Sequence, residues 1–210
     1  MRQFLGATLL LGLTAATSLN AADTAPGKAL FEATCVACHG AAGQGNPALQ
    51  APALAGQQAA YLQRQLLNFR TDLRGTAAGD SGGAQMAPMA KGLADDAAVT
   101  AVAEYLASLP AAKATPALTG GDAAQGAKLY QSKCGSCHGG KAEGNPALNS
   151  PRLAGQSDVY LQTQFNHFKQ GKRGYQQQDR FGRQMRMMAN SLNETELQDV
   201  LAYLNTLGAK

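Results

Sequence analysis

The stretch "CVACHG", Cys35 to Gly40, decides how this chain is read, and it returns as "CGSCHG", Cys134 to Gly139, ninety-nine residues later. These motifs use all four cysteines of the 210-residue chain. The same shift lays "GNPALQAPALAGQQAAYLQRQLLNFRTDLRG" (45–75) on "GNPALNSPRLAGQSDVYLQTQFNHFKQGKRG" (144–174), with 17 of 31 positions identical and no gap. It also places His39 on His138, Met86 on Met185 and Leu93 on Leu192. Self-similarity over such a length marks a duplicated unit, here of just under about 100 residues. The Pro- and Gly-bearing segment "PAAKATPALTGG", Pro110 to Gly121, reads as the connection between the copies.

Each copy carries three helical patterns. The first runs into CxxCH. The second is "QAAYLQRQLLNFR" or "SDVYLQTQFNHFK", with Tyr61, Gln65, Leu66 and Phe69 on one face, as are Tyr160, Gln164, Phe165 and Phe168. The third opens near Asp95 and near Asn193; its apolar stripe is Val99, Val102, Leu106 and Leu109, or Leu197, Val200, Leu201 and Leu204. No alternating strand pattern stands out. The fold class expected is all-α: two tandem domains, each of about three main helices joined by long Gly/Pro-rich loops. Three short helices bury little apolar surface and need a staple or filler.

CxxCH admits four readings. A structural zinc site takes four ligands within one domain, and each copy supplies one cysteine pair and one neighbouring histidine. A thioredoxin-type dithiol opens a helix in a βαβ pattern, whereas this pair closes a helix in an all-α pattern. A disulfide inside CxxC closes a tiny loop. The fourth reading uses the histidine: both thiols bond to the vinyl groups of a haem, and the adjacent imidazole lies under the iron. One helical turn puts all three groups on one side. Two haem c groups are therefore expected, attached at Cys35 and Cys38 and at Cys134 and Cys137, with His39 and His138 as axial iron ligands.

The N-terminal "MRQFLGATLLLGLTAATSLNAAD" has one basic residue, Arg2, an apolar run from Phe4 to Leu13, then small and polar residues. This is the layout of a secretory signal peptide, cut after Ala21 or Ala22; an uncleaved anchor is the alternative. The run is short for a bilayer span, and no later stretch offers one. The expected organisation is 1–22 signal peptide, 23–113 N-terminal domain, 114–121 linker and 122–210 C-terminal domain. Export places the chain in the periplasm, an oxidising compartment where idle thiols are a liability.

The tandem arrangement of "CxxCHG…GNPAL…P.LAGQ..YL..Q…F", a Met-rich segment and a last helix containing "YL" resembles the dihaem cytochrome c4 family, over essentially the whole mature chain. Its LAGQ-x-x-x-YL stretch is more specific than a general cytochrome c signal. The resemblance implies two class I cytochrome c domains. A proximal histidine leaves one axial position, and a thioether there stabilises ferrous iron and raises the potential. The histidines are His39, His138 and His167; the last aligns with Asn68 and reads as a surface or helix-face residue. Methionine alone can serve both copies. Met86/Met185 and Met89/Met188 both align, so the repeat does not choose between them. The family pattern does: a ligand methionine several residues before the last helix, in a loop, implies Met86 and Met185. It likewise implies that Pro52 and Pro151 hold the other ring nitrogen of each proximal histidine, with Pro47 and Pro146 as nearer alternatives. Arg74 and Arg173 are either partners of haem propionates or solvated helix ends.

With both axial positions filled, the expected role is outer-sphere electron transfer rather than catalysis. The resemblance implies a shuttle between a quinol–cytochrome c reductase and a haem–copper terminal oxidase, with peripheral membrane association possible in principle and no nucleic-acid partner. The alternatives are an electron-accepting subunit of a dehydrogenase, for instance a flavin-dependent sulfide-oxidising enzyme, a dihaem peroxidase, or a purely structural protein. Charge is uneven. From Asp23 to Leu118 there are six basic and seven acidic residues, and from Thr119 onward eleven and seven. Lys169, Lys172, Arg173, Arg180, Arg183 and Arg186 stand against Asp179 alone in one stretch, which reads as a docking patch for an acidic partner.

Overall fold

The structure is a computed structural model and describes residues 24–208; the expected signal peptide lies outside the described residues. The first copy folds as α1 (Ala25–Thr34), α2 (Val36–His39), a 3-10 turn (Pro47–Leu49), α3 (Ala59–Arg70), α4 (Ser81–Lys91) and α5 (Asp96–Ser108). The second repeats it as α6 (Ala123–Lys133), α7 (Gly135–His138), a 3-10 turn (Pro146–Leu148), α8 (Asp158–Lys169), α9 (Arg180–Ala189) and α10 (Glu194–Gly208). Among the described residues the only β pairings are the isolated bridges Asn46–Ala51 and Asn145–Ser150.

The first and last helices of each copy cross closely, α1 on α5 and α6 on α10. Glycine makes the crossing possible: a Cβ on Gly27 would overlap the Ala101 carbonyl, and one on the aligned Gly126 would overlap the Asp199 carbonyl. Phe31, Val99, Val102 and Leu106 fill the first core; Tyr130, Leu192, Val200 and Leu204 fill the second. Phe31 and Tyr130 occupy aligned places, and the tyrosine hydroxyl adds a bond to the Gly139 carbonyl at 2.7 Å. The last helices open where the sequence places them. Asp95 caps the Ala98 N–H at 2.8 Å, while Asn193 and Glu196 exchange bonds at 2.9 and 2.8 Å as a capping box.

One helix per copy departs from the sequence reading. The Met-rich segments, expected as loops, are helices α4 and α9. Asp80 and Asp179 start them by accepting from Gly83 and Gly182 at 2.8 and 2.9 Å. Gly82, Gly83 and Pro88 obscure the first of these in sequence, since they are poor helix formers.

The connecting segment is fastened to both domains. Ala112 N–H bonds the Ala55 carbonyl at 3.3 Å, Ala114 N–H bonds the Gly155 carbonyl at 2.9 Å, and Ala117 and Leu118 donate to the buried Asp158 carboxylate, both at 2.9 Å. Gly56 and Gly155, the glycines of the two LAGQ motifs, have φ of 68° and 79°, and a Cβ on either would strike Ala111 or Ala112.

Candidate functional site

Each CxxCH is a single helical turn. Cys35 ends α1 and starts α2, His39 N–H bonds the Cys35 carbonyl at 3.0 Å, and Gly40 at φ 78° stops the turn. Copy two repeats this with His138 on Cys134 at 2.9 Å and Gly139 at φ 84°. Burial, reinforced by the neighbouring Cys38, pushes the Cys35 thiol up to about 11. Burial and Cys137 push Cys134 to about 11 against the opposing pull of Lys133. A redox-exchanging dithiol needs a depressed thiol pKa, so this environment disfavours that reading.

The "GNPAL" segment positions the next part. Gly45 has φ 85°, and its N–H bonds the His39 carbonyl at 2.8 Å. Asn46 pairs with Ala51 and caps the 3-10 turn through Ala48 N–H at 3.1 Å. The loop thereby returns Pro52 over the imidazole, and His39 Nδ1 lies 2.9 Å from the Pro52 carbonyl. His138 Nδ1 lies 2.9 Å from the Pro151 carbonyl. Pro47 and Pro146 instead begin the 3-10 turns. A carbonyl only accepts, so each Nδ1 carries the proton and each Nε2 keeps its lone pair. Burial lowers both imidazole pKa values, partly offset by these bonds, so both rings are neutral near pH 7.

One cavity of about 390 Å³ is lined by Cys35, Cys38, His39 and Met86 from the first copy and by their counterparts Cys134, Cys137, His138 and Met185. Met86 packs on Phe69, Ala87 and Ala90. Met89 and Met188 reach the same cavity but are 42 % exposed each, and Met187 is 70 % exposed.

The wall between the two halves is polar and follows a pseudo-twofold. Arg74 donates to Gln65 at 2.7 Å and to Gln164 at 2.9 Å; Arg173 donates to Gln164 at 3.0 Å and to Gln65 at 2.9 Å. Arg173 also donates to the Tyr61 hydroxyl at 3.0 Å, and Arg74 reaches Tyr160 at 3.3 Å. Their guanidinium carbons lie 4.5 Å above the rings of Phe69 and Phe168. Both arginines are buried, which removes the solvated-helix-end reading. Their acceptors are neutral oxygens, and Arg74 Nε has no partner among the described residues. Two buried cations hydrogen-bonded to neutral oxygens, one of them with an unused Nε, fit an acidic ligand in the cavity. Together with the CxxCH turns and held imidazoles, this fits a haem in each half. The sequence reading missed Tyr61, Tyr160, Gln57 and Gln156, although their identity in both copies was the available signal.

His167 lies at the domain boundary, its Nδ1 3.5 Å from Asp80 Oδ1 of the first domain and its side chain 12 % exposed. The six-charge basic stretch is divided by the fold. Arg173 is in the interface, Lys169 bonds the Leu192 carbonyl at 2.8 Å, and Lys172 reaches the Gly79 carbonyl at 3.4 Å. Arg180, Arg183 and Arg186 remain exposed, lining a shallow groove on α9 with Tyr175 and Met187. The aligned positions in α4 are Ser81, Ala84 and Ala87.

These features define a pair of helical haem-binding units sharing one interface. Residues 24–110 and 123–208 each match the family model for cytochrome c. The chain is 41 % identical over 150 residues to a thiosulfate dehydrogenase electron acceptor of Thiomonas intermedia, covering 67 % of this chain and 65 % of that protein. It is 30 % identical over 209 residues to cytochrome c-552 of Acidithiobacillus ferridurans, covering 96 % and 85 %. The solved cytochrome c4 of Acidithiobacillus ferrooxidans superposes with a TM-score of 0.68 at 28 % identity, covering 83 % of this chain and 99 % of that one. The chain belongs to the cytochrome c family, as a tandem, dihaem member of the cytochrome c4 type. It carries two covalently bound haem c groups and transfers electrons.

Proposed function

We propose that this protein is an exported, periplasmic one-electron carrier that takes electrons from a quinol–cytochrome c reductase and delivers them to a terminal oxidase. The bound haems supply the one-electron chemistry. Cys35, Cys38, Cys134 and Cys137 anchor them, His39 and His138 offer Nε2 to the irons, and Met86 and Met185 offer the thioethers. Pro52 and Pro151 fix each imidazole's tautomer and ring orientation. The observation carrying this reading is the His–Pro bond at 2.9 Å in both copies, with a methionine-bearing helix across the same cavity. With His39 and Met86, and His138 and Met185, as its ligands, each iron would have no position for substrate, which favours electron transfer over turnover and speaks against a peroxidase. A spectroelectrochemical titration tests it. Two one-electron steps are expected, with an iron–sulfur charge-transfer band for each haem. A five-coordinate haem with peroxide turnover would overturn it.

A second reading is an electron acceptor serving a dehydrogenase that oxidises an inorganic sulfur compound. Its support is the name carried by the relative from Thiomonas intermedia, of which this chain spans just under two thirds. Rapid reduction by a thiosulfate dehydrogenase with thiosulfate, and slow reduction by a quinol–cytochrome c reductase, would favour this donor over the first.

A further inference from the structure

The pseudo-twofold gives many interface contacts a counterpart; the contact made by Arg64 in the cavity wall has none. Arg64 leaves its own domain: its Nη2 donates to the Asn149 carbonyl at 2.9 Å, and its guanidinium carbon lies 4.4 Å above the ring of Phe181. Shifting each partner by the repeat turns the pair Arg64–Phe181 into Thr163–Gly82, so both members of the contact are missing on the other side. Phe181 stands on α9, between the cap Asp179 and Met185. The guanidinium thus lies against the C-terminal half of the cavity although it belongs to the N-terminal domain. Its Nε and Nη1 are buried and have no partner among the described residues. An arginine stays charged at any physiological pH, and a buried fork with two unused donors calls for an anion.

We infer that Arg64 is a positioning residue acting across the domain boundary. It supplies the C-terminal haem, held by Cys134, Cys137 and His138, with a fixed positive charge and two donors for its carboxylate edge, and the N-terminal haem has no equivalent. This rests on the proposed electron-carrier reading. Arg74 and Arg173 are matched by the repeat and treat both halves alike; Arg64 is a charge in the cavity wall that only the C-terminal half receives. The charge favours the ferrous state at the C-terminal site. It therefore biases the step in which one electron leaves the N-terminal ferrous iron and reduces the C-terminal ferric iron, with no bond or proton transferred. Phe181 holds the guanidinium by its face, where planar stacking suits arginine better than lysine.

The test uses the intact two-haem protein and the two midpoint potentials, assigned with Met86→Ala and Met185→Ala backgrounds. Arg64→Gln keeps a hydrogen-bonding side chain and removes the charge. The equilibrium constant for electron transfer from the first haem to the second should fall about tenfold, equivalent to about 59 mV for one electron. The fall should come from the C-terminal potential alone, and Arg64→Lys should retain most of the wild-type gap. Thr163→Arg should raise the N-terminal potential and narrow the gap. Equal movement of both potentials in Arg64→Gln, or movement of neither, would overturn the assignment. A wild-type protein lacking two Met-ligated haems would instead overturn the carrier reading, and this inference with it.

Discussion

Gln57 of the first domain and Gln156 of the second each clamp a peptide of the opposite domain through both ends of the amide. Gln57 accepts from Arg152 N–H at 2.9 Å and donates to the Arg152 carbonyl at 3.0 Å. Gln156 accepts from Ala53 N–H and donates to its carbonyl, both at 2.9 Å. Ala53 and Arg152 directly follow Pro52 and Pro151, whose carbonyls meet His39 and His138. Each proximal imidazole is thus braced by a glutamine from the other domain. The glutamine of LAGQ is a docking residue, which gives that motif its place where the two domains of this chain meet.

Gln156→Ala should therefore disturb the N-terminal haem although the residue lies in the C-terminal domain. Two interdomain hydrogen bonds are lost, each worth about 1 kcal/mol. The expected outcome is a shift of the N-terminal haem's potential and of its ring-proton NMR signals, with the C-terminal haem little changed. Gln57→Ala should give the mirror result. Purely local changes, each at the mutated domain's own haem, would contradict the bracing.

Met86→Ala and Met185→Ala should each remove the charge-transfer band of one haem, open that iron to small ligands and lower its potential. A thioether stabilises the ferrous state, and its loss removes that preference. Met89→Ala and Met188→Ala, at the more exposed positions, should leave both bands in place. Loss of the bands in the second pair would move the ligand assignment by three residues and leave the carrier function untouched.

Much of this architecture is legible in the sequence because the chain repeats itself. Cys35 on Cys134 and His39 on His138 identify the attachment turns, and the aligned stripes at Val99 and Leu197 identify the last helices. What escapes is set by tertiary context. Gly82, Gly83 and Pro88 speak against a helix, yet the Asp80 cap and packing against α3 make one. Arg74 and Arg173 read equally as propionate partners or solvated helix ends until the meeting of the two domains buries them. The basic stretch looks like a single patch, but the fold turns Lys169, Lys172 and Arg173 to structural contacts. Those assignments depend on how two domains meet, which one domain's periodicity does not encode.

His167 should make stability depend on pH. Burial lowers its pKa, aided by Lys172, Arg74 and Arg173 and opposed by Asp80, so it is neutral in the folded protein near pH 7. The unfolded chain takes up a proton as pH falls through about 6.5. There the unfolded state binds more protons, so folding stability declines as pH drops from about 7 toward the folded pKa, by at most about 1.4 kcal/mol per pH unit. His167→Asn installs the residue that the first copy has at position 68. The variant should show a flatter dependence of the denaturation midpoint on pH below about 7. An unchanged slope would place the proton uptake elsewhere.

The exposed basic face of α9 should set how electrons leave. Of the six-charge stretch, Arg180, Arg183 and Arg186 share an exposed face of α9, and the aligned positions of α4 are the uncharged Ser81, Ala84 and Ala87. Two chemically similar domains thus differ in charge on the helix that bears the methionine. A positive charge at about 10 Å from an iron disfavours the ferric state by roughly 1.7 kcal/mol at an effective dielectric of about 20, before salt screening. The C-terminal haem should therefore have the higher potential and hold the electron. The same face attracts an acidic partner and speeds encounter at low ionic strength. Replacing Arg180 and Arg183 by Gln should flatten the salt dependence of the electron-transfer rate to that partner and lower the C-terminal potential only. Stopped-flow oxidation across a range of ionic strengths, alongside the redox titration, reads both effects. If the rate and its salt slope hold, or the N-terminal haem proves the more oxidising, electrons do not exit by this face.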